Sequence, residues 1–234
     1  MRPVLLIALN FLRESRWAIL LLLLWAGISG AAAAYSIKDA PDDALFLLKQ
    51  QAVYGVVFTA FLASSAIYNQ RRSRRILAVL SKGLSRTEYL GGLEVGFLVG
   101  AVVYSAAVTV LGAWVFARAG FSVTRVIPVA IMLFAASALA GSVALLFSTF
   151  LSPLFAIALT AVVVGINGVF LQMSSSVLAQ VMPTYVLMQS ILAFSFNNWT
   201  PAWAAVGWAL VEAVAVWALA SLIFAHRDLA VAIE

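Results

Sequence analysis

The chain has 234 residues, of which 65% are hydrophobic and 10% are charged, and its mean hydropathy is +1.07. Soluble domains carry about 25% charged residues, so this composition predicts a polytopic membrane protein and leaves no length for a soluble catalytic domain. Cysteine is absent and histidine occurs once, at His226, which excludes disulfides, thiol nucleophiles and histidine-rich metal sites. We therefore predict a chain that is not an enzyme, holds no metal and has no nucleic-acid partner.

The first element is a predicted amphipathic helix over residues 1–16. Its apolar residues recur at helical spacing and its polar residues share the opposite face. The apolar set is Val4, Ile7, Ala8, Phe11 and Leu12, and the polar set is Asn10, Arg13 and Glu14. This pattern favours a separate helix that lies in the membrane interface. The alternative is that these residues extend the first membrane span.

Six segments are long and apolar enough to cross a bilayer, which takes about 20 residues as a helix. They are residues 17–35, 51–68, 93–117, 126–151, 154–171 and 203–224. The fold class predicted from them is all-α, a single domain over residues 1–234 with six transmembrane helices. The segment between the last two spans, residues 172–202, is too apolar for an ordinary loop, and we predict short helices there that re-enter the outer membrane surface.

The basic residues are distributed unevenly between the two sides of this topology. One side holds both termini and ten Lys or Arg residues, and the other side holds four. Basic residues are enriched on the cytoplasmic side of short loops. We therefore expect an integral membrane protein with both termini in the cytoplasm, in the inner (plasma) membrane if the source is a bacterium.

The connection between the second and third spans, residues 69–91, is the most charged part of the chain. It carries six basic residues and one acid, while the rest of the chain has balanced charges. Gly83 is typical of a helix end, and Ser85-Arg86-Thr87-Glu88 has the form of a capping box that begins the next helix. An ordered cytoplasmic elbow with apolar and basic side chains suits docking onto a protein. Two alternatives are a simple topology anchor and a site for anionic lipid head groups.

This stretch resembles the cytoplasmic coupling loop of type-2 ABC exporter permeases. The sequence ILAVLSKGLSRTEYLGGL has the family's leucine-rich helix, its break and its entry into the third span. The matching positions are Leu77, Leu80, Ser85, Arg86, Glu88, Tyr89, Leu90 and Gly91. The chain departs from the family in the Arg-rich RRSRR before the leucines and in Lys82-Gly83, where a proline is common; these departures concern the subfamily. The N-terminal helix, the six spans and the long external segment also follow the family layout.

The resemblance implies a permease subunit whose elbow fits a groove of a separate ATPase. The implied coupling residues are Arg71, Arg72, Arg74, Arg75, Leu77, Leu80, Lys82, Ser85, Arg86 and Glu88. The sequence contains no G-x-x-x-x-G-K-[ST] phosphate loop, so we expect ATP and Mg²⁺ on the partner and no cofactor on this chain. The expected partners are a cytoplasmic ATP-binding subunit, a second permease copy or a paired permease, and membrane lipids. A non-transporting scaffold that recruits a partner or anionic lipid is the alternative function.

Small and polar residues within the predicted spans suggest packing and pathway sites. Gly92, Gly96 and Gly100 form a doubled G-x-x-x-G that allows close helix approach, either within one subunit or between subunits. Glu212 lies near the middle of the last span, where a charged carboxylate is energetically unfavourable unless it is paired or hydrated. It either serves a functional path or bonds a neighbouring helix near Asn167. Glu94, just inside the third span, is interpreted mainly as structural.

Overall fold

The computed structural model describes residues 2–72, 84–166, 183–195 and 199–226. Within these ranges the chain is helical, with seven α-helices and no strand. The helices are α1 (Arg2–Ser36), α2 (Pro41–Arg72), α3 (Arg86–Arg118), α4 (Val126–Ser148), α5 (Pro153–Ala161), α6 (Pro183–Leu192) and α7 (Trp203–His226). A 3₁₀ turn, Val123–Arg125, precedes α4, and a π-helical turn, Val162–Ile166, continues α5.

Five of the described helices are long and apolar enough to cross a membrane. They are contained in α1, α2, α3, α4 with its preceding turn, and α7. Large apolar side chains cover their outer surfaces, among them Leu21 of α1 and Val214 of α7, at 67% and 64% exposure. Apolar surface on this scale is unfavourable in water and favourable against lipid tails. The all-helical membrane fold predicted from composition is therefore supported, while the predicted fifth span, 154–171, is described only as far as Ile166.

The N-terminal segment is part of a single helix, contrary to the separate interfacial helix predicted for residues 1–16. Helix α1 runs without interruption for 35 residues, about 52 Å at 1.5 Å per residue. The prediction placed a boundary between residues 16 and 17, yet no proline or glycine lies between Val4 and Trp25 to break the helix. Charged residues such as Arg13 and Arg16 indicate where a helix leaves the lipid, but they do not end the helix. A position of these residues at the membrane interface stays a prediction.

The apolar side of the N-terminal segment packs against protein. Ile7, Ala8 and Phe11 are buried, and their neighbour is the start of α3. A methyl group added at Gly92 would lie 2.6 Å from Ile7 Cβ, and one added at Gly96 would lie 2.7 Å from Phe11 Cδ1. The two glycines thus give α1 room to approach α3, and the two helices run parallel. We call the end at which α1 and α3 begin and α7 ends the basic end.

Helix α4 occupies the centre of the bundle. It packs against α2, α3, α5, α6 and α7, and it is the most buried of the five described helices that are long and apolar enough to cross a membrane. Small residues make this possible because they let neighbouring backbones come close. A methyl group added at Gly141, for example, would lie 2.4 Å from the ring of Phe97 on α3. Helices α3 and α4 are antiparallel and together form one side of a cleft, and α7 forms the other side.

Candidate functional site

The predicted coupling elbow is described only at its two ends. Helix α2 ends at Arg72, with the backbone of Arg71 and Arg72 in its last turn, and the description resumes at Leu84. The predicted coupling residues in between lie outside the described residues; they are Arg74, Arg75, Leu77, Leu80 and Lys82. The structural information on the elbow therefore comes from the start of α3.

The capping box predicted at the start of α3 is confirmed. The Glu88 backbone N–H donates to Ser85 Oγ at 3.1 Å, and the Ser85 backbone N–H donates to Glu88 Oε2 at 3.0 Å. Ser85 is extended, with φ −71° and ψ 151°, as an N-cap residue requires. The carboxylate of Glu88 also lies at the positive end of the helix dipole. These contacts fix where α3 begins and in which direction the elbow enters it.

Arg86 joins the start of α3 to the end of α7. Its Nη1 donates to the backbone carbonyls of Ala225 at 3.1 Å and Phe224 at 3.4 Å. The last carbonyls of a helix have no partner within the helix and carry negative partial charge, so a guanidinium there satisfies and stabilises the helix end. Tyr89 stacks beside this link on the ring of Phe224, with 6.2 Å between centroids. Arg86 and Glu88 therefore make internal contacts in addition to the coupling role implied for them.

Glu94 is buried on the side of α3 that faces α4 and α7. It is 8% exposed, and Ser142 Oγ of α4 lies 2.7 Å from its Oε1. The same hydroxyl lies 2.9 Å from the Ala138 carbonyl oxygen, and its single hydrogen serves one acceptor at a time. Glu94 Oε2 is buried and has no hydrogen-bond partner among the described residues. An unsatisfied buried carboxylate oxygen is costly, which singles out this residue more strongly than its sequence position did.

Glu94 forms part of the wall of a cleft of about 560 Å³ between α3, α4 and α7. The opposite wall includes Trp217, whose indole Nε1–H is buried and unpaired within the described part of the chain. Gly91 leaves space beside the indole, since a methyl group there would lie 3.5 Å from Trp217 Cζ2. Sequence reasoning missed Trp217 because one tryptophan among seven on an apolar helix carries no distinguishing signal.

Glu212 lies on a different side of α7 from the cleft. It is half-buried, between the buried Ala209 and Ala213 and the exposed Trp208 and Val211. It makes no hydrogen bond or ion pair with another described residue. Its suggested neighbour Asn167 lies outside the described residues, so that pairing stays a prediction.

The predicted external segment is partly described. Helix α6, Pro183–Leu192, lies within the segment 172–202 for which short helices were predicted, and the residues from 167 to 182 lie outside the described residues. Trp199 Nε1 donates to the Ser190 carbonyl at 2.7 Å and so holds Trp199 against α6. Re-entry of this segment into a membrane surface stays a prediction.

Comparisons with known proteins do not extend these observations: no family model and no curated protein matches the chain.

Proposed function

We propose that this chain is the membrane-spanning permease subunit of an ATP-driven exporter of the type-2 ABC class, with six spans and cytoplasmic termini. It would work as a dimer, or with a paired permease, and with separate ATPase subunits that bind ATP and Mg²⁺. The resemblance of residues 69–91 to the family's coupling loop supports this proposal. The cargo would be apolar or amphipathic, because polar side chains are few in the spans.

The observation that carries the proposal is the mechanical connection at the start of α3. A force on the elbow enters α3 through a helix start that is fixed by the Ser85–Glu88 capping box. Arg86 then passes the force to the end of α7 through its bonds to the Phe224 and Ala225 carbonyls. Because the two helices are tied at the basic end, closure of a partner on the elbow would tilt both helices together. Such coordinated tilting is the movement that alternating access requires.

The test is affinity purification of the full chain from its native membranes, followed by identification of co-purified proteins and an ATPase assay. We expect a subunit with a G-x-x-x-x-G-K-[ST] loop and ATPase activity. Charge reversal in the elbow, Arg74→Glu with Arg75→Glu, should abolish this co-purification. The matched control is Lys38→Glu, an exposed basic residue at the other end of the bundle, which should retain the partner.

Arg86→Ala separates docking from transmission. We expect the ATPase to remain bound, while stimulation of its activity by the permease falls at least several-fold because the link to α7 is lost. Absence of an ATPase from purified wild-type protein contradicts the proposal. If, in addition, the elbow variants lose only binding to vesicles with anionic lipid, the scaffold alternative is the better description.

A further inference from the structure

The cleft between α3, α4 and α7 is polar at one end and apolar at the other. Near the basic end its wall contains Thr87, Glu88 and Glu94, and opposite them Trp217. Deeper in the bundle the described residues of the wall are apolar, namely Leu98, Phe134, Ala138 and Leu210. Glu88 and Glu94 lie six residues apart, about 9 Å along the helix axis. This gradient matches a molecule with a polar head and an apolar body.

Among the described residues, the charged side chains in the wall of the cleft have one sign. Its described wall contains two carboxylates, Glu88 and Glu94, and no lysine or arginine. Glu94 is more than nine-tenths buried and keeps one oxygen without a partner among the described residues. A buried carboxylate is stabilised when a cation pairs with it. The adjacent indole of Trp217 adds an aromatic surface, and tryptophan is the aromatic residue that attracts cations most strongly.

The cleft is also accessible from the side of the bundle. Val95 on α3 and Leu210 and Val214 on α7 line it and are exposed, the last of them at 64%. A chain that enters from surrounding lipid can therefore lie between α3 and α7. The volume of about 560 Å³ falls within the usual range of small-molecule sites.

We propose that this cleft binds a cationic amphiphile, with an ammonium group at Glu94 and Trp217 and an apolar chain along Leu98, Leu210 and Val214. The shared chemistry is an amine on a hydrocarbon body, supplied by a free alkylamine or by an ethanolamine lipid. The site is independent of the ATP-driven activity proposed above, because the residues assigned to the ligand, Glu94 and Trp217 with Leu98, Leu210 and Val214, lie outside the elbow of residues 69–91.

The test measures binding of three probes with the same twelve-carbon chain to the full-length protein in detergent, by native mass spectrometry. The probes are dodecylamine, dodecanol and dodecanoate. We expect dodecylamine to bind about tenfold more tightly than dodecanol, and dodecanoate to bind weakest. Glu94→Gln keeps an acceptor for Ser142 and removes the charge, so it should weaken dodecylamine binding about tenfold and leave dodecanol unchanged. Asp42→Asn, which neutralises an exposed acid at the other end of the bundle, is the matched control and should have no effect.

A second variant keeps the proposal testable if Glu94→Gln fails to fold. Trp217→Phe retains an aromatic ring with weaker cation attraction, and it should weaken dodecylamine binding about threefold without affecting dodecanol. Phosphatidylethanolamine and phosphatidylglycerol with identical acyl chains distinguish the sources. Retention of the ethanolamine lipid that depends on Glu94 identifies a lipid head group, and binding of dodecylamine alone identifies a free amphiphile. Equal binding of amine and alcohol, or an unchanged Glu94→Gln variant, overturns the proposal.

Discussion

Two adjacent glycines of α3, Gly91 and Gly92, lie in opposite kinds of environment. A methyl group at Gly92 would lie 2.6 Å from Ile7 Cβ and 3.0 Å from the Val4 backbone oxygen, whereas one at Gly91 would meet only Trp217 Cζ2 at 3.5 Å. One helix therefore has a face closed by α1 and a face open to the cleft beside α7. In a membrane, close packing and hydrogen bonds replace the hydrophobic effect as the forces between helices. The closed face fits a structural role, and the open face is available for a ligand.

The largest expected effect is on the closed face. Gly92→Ala places a methyl group against Ile7 and against backbone, which cannot move aside as a flexible side chain does. We expect the free energy of unfolding to fall by about 1–3 kcal/mol, the usual range for overpacking. Unfolding of the purified protein in mixed micelles with increasing SDS, followed by tryptophan fluorescence, measures this change.

The comparison with Gly100→Ala sharpens that result. Gly100 belongs to the same doubled G-x-x-x-G motif, but a methyl group there would meet only Ile19 Cδ1, at 3.9 Å. The close approach is therefore concentrated at Gly92 and Gly96, and Gly100→Ala should leave stability nearly unchanged. A loss of stability at Gly100 equal to that at Gly92 would contradict the packing described for α1 and α3.

An intermediate effect is expected where α3 begins, because both faces depend on that point. Ser85→Ala removes the hydroxyl that accepts from Glu88 N–H, and caps of this kind contribute about 1 kcal/mol. Ser85→Asp retains an acceptor and should preserve stability. In the same SDS titration, Glu88→Ala added to Ser85→Ala should cause little further loss, since both side chains belong to one capping box. Full additivity of the two changes would show that the capping contacts are not coupled.

The features that the sequence predicted correctly are those that depend on neighbouring residues. The capping box is four residues long, and each partner lies within hydrogen-bond reach once the helix begins. The glycine spacing predicted a close helix contact. It left open whether the partner helix belongs to the same chain or to another subunit, because the spacing describes only the glycine side of the contact. The N-terminal segment was divided after residue 16 on its amphipathic pattern, but the helix continues from Arg2 to Ser36, and no proline or glycine interrupts it near that boundary.

The features that could not be predicted from the sequence are contacts between residues far apart in the chain. Arg86 bonds backbone carbonyls 138 and 139 residues away, and a carbonyl acceptor has no side-chain signature. Glu94 and Trp217 line the same cleft only once α3, α4 and α7 have packed together. The sequence assigned Glu94 a mainly structural role. Its oxygen without a partner among the described residues can be recognised only in the folded chain.

The smallest effect on stability is expected on the open face, from Gly91→Ala. The new methyl group has ordinary van der Waals distance to Trp217, and alanine reduces the conformational freedom of the unfolded chain, so stability should be unchanged or higher by up to about 1 kcal/mol. The methyl group nevertheless takes space at the polar end of the cleft, between Glu88 and Glu94, where the ammonium group is placed. Dodecylamine should therefore bind less tightly to Gly91→Ala than to the wild type, although the two proteins unfold alike. Opposite responses of two adjacent glycines, one in stability and one in binding, are expected only if the two faces of α3 differ as described; a large loss of stability from Gly91→Ala would mean that the cleft is closed.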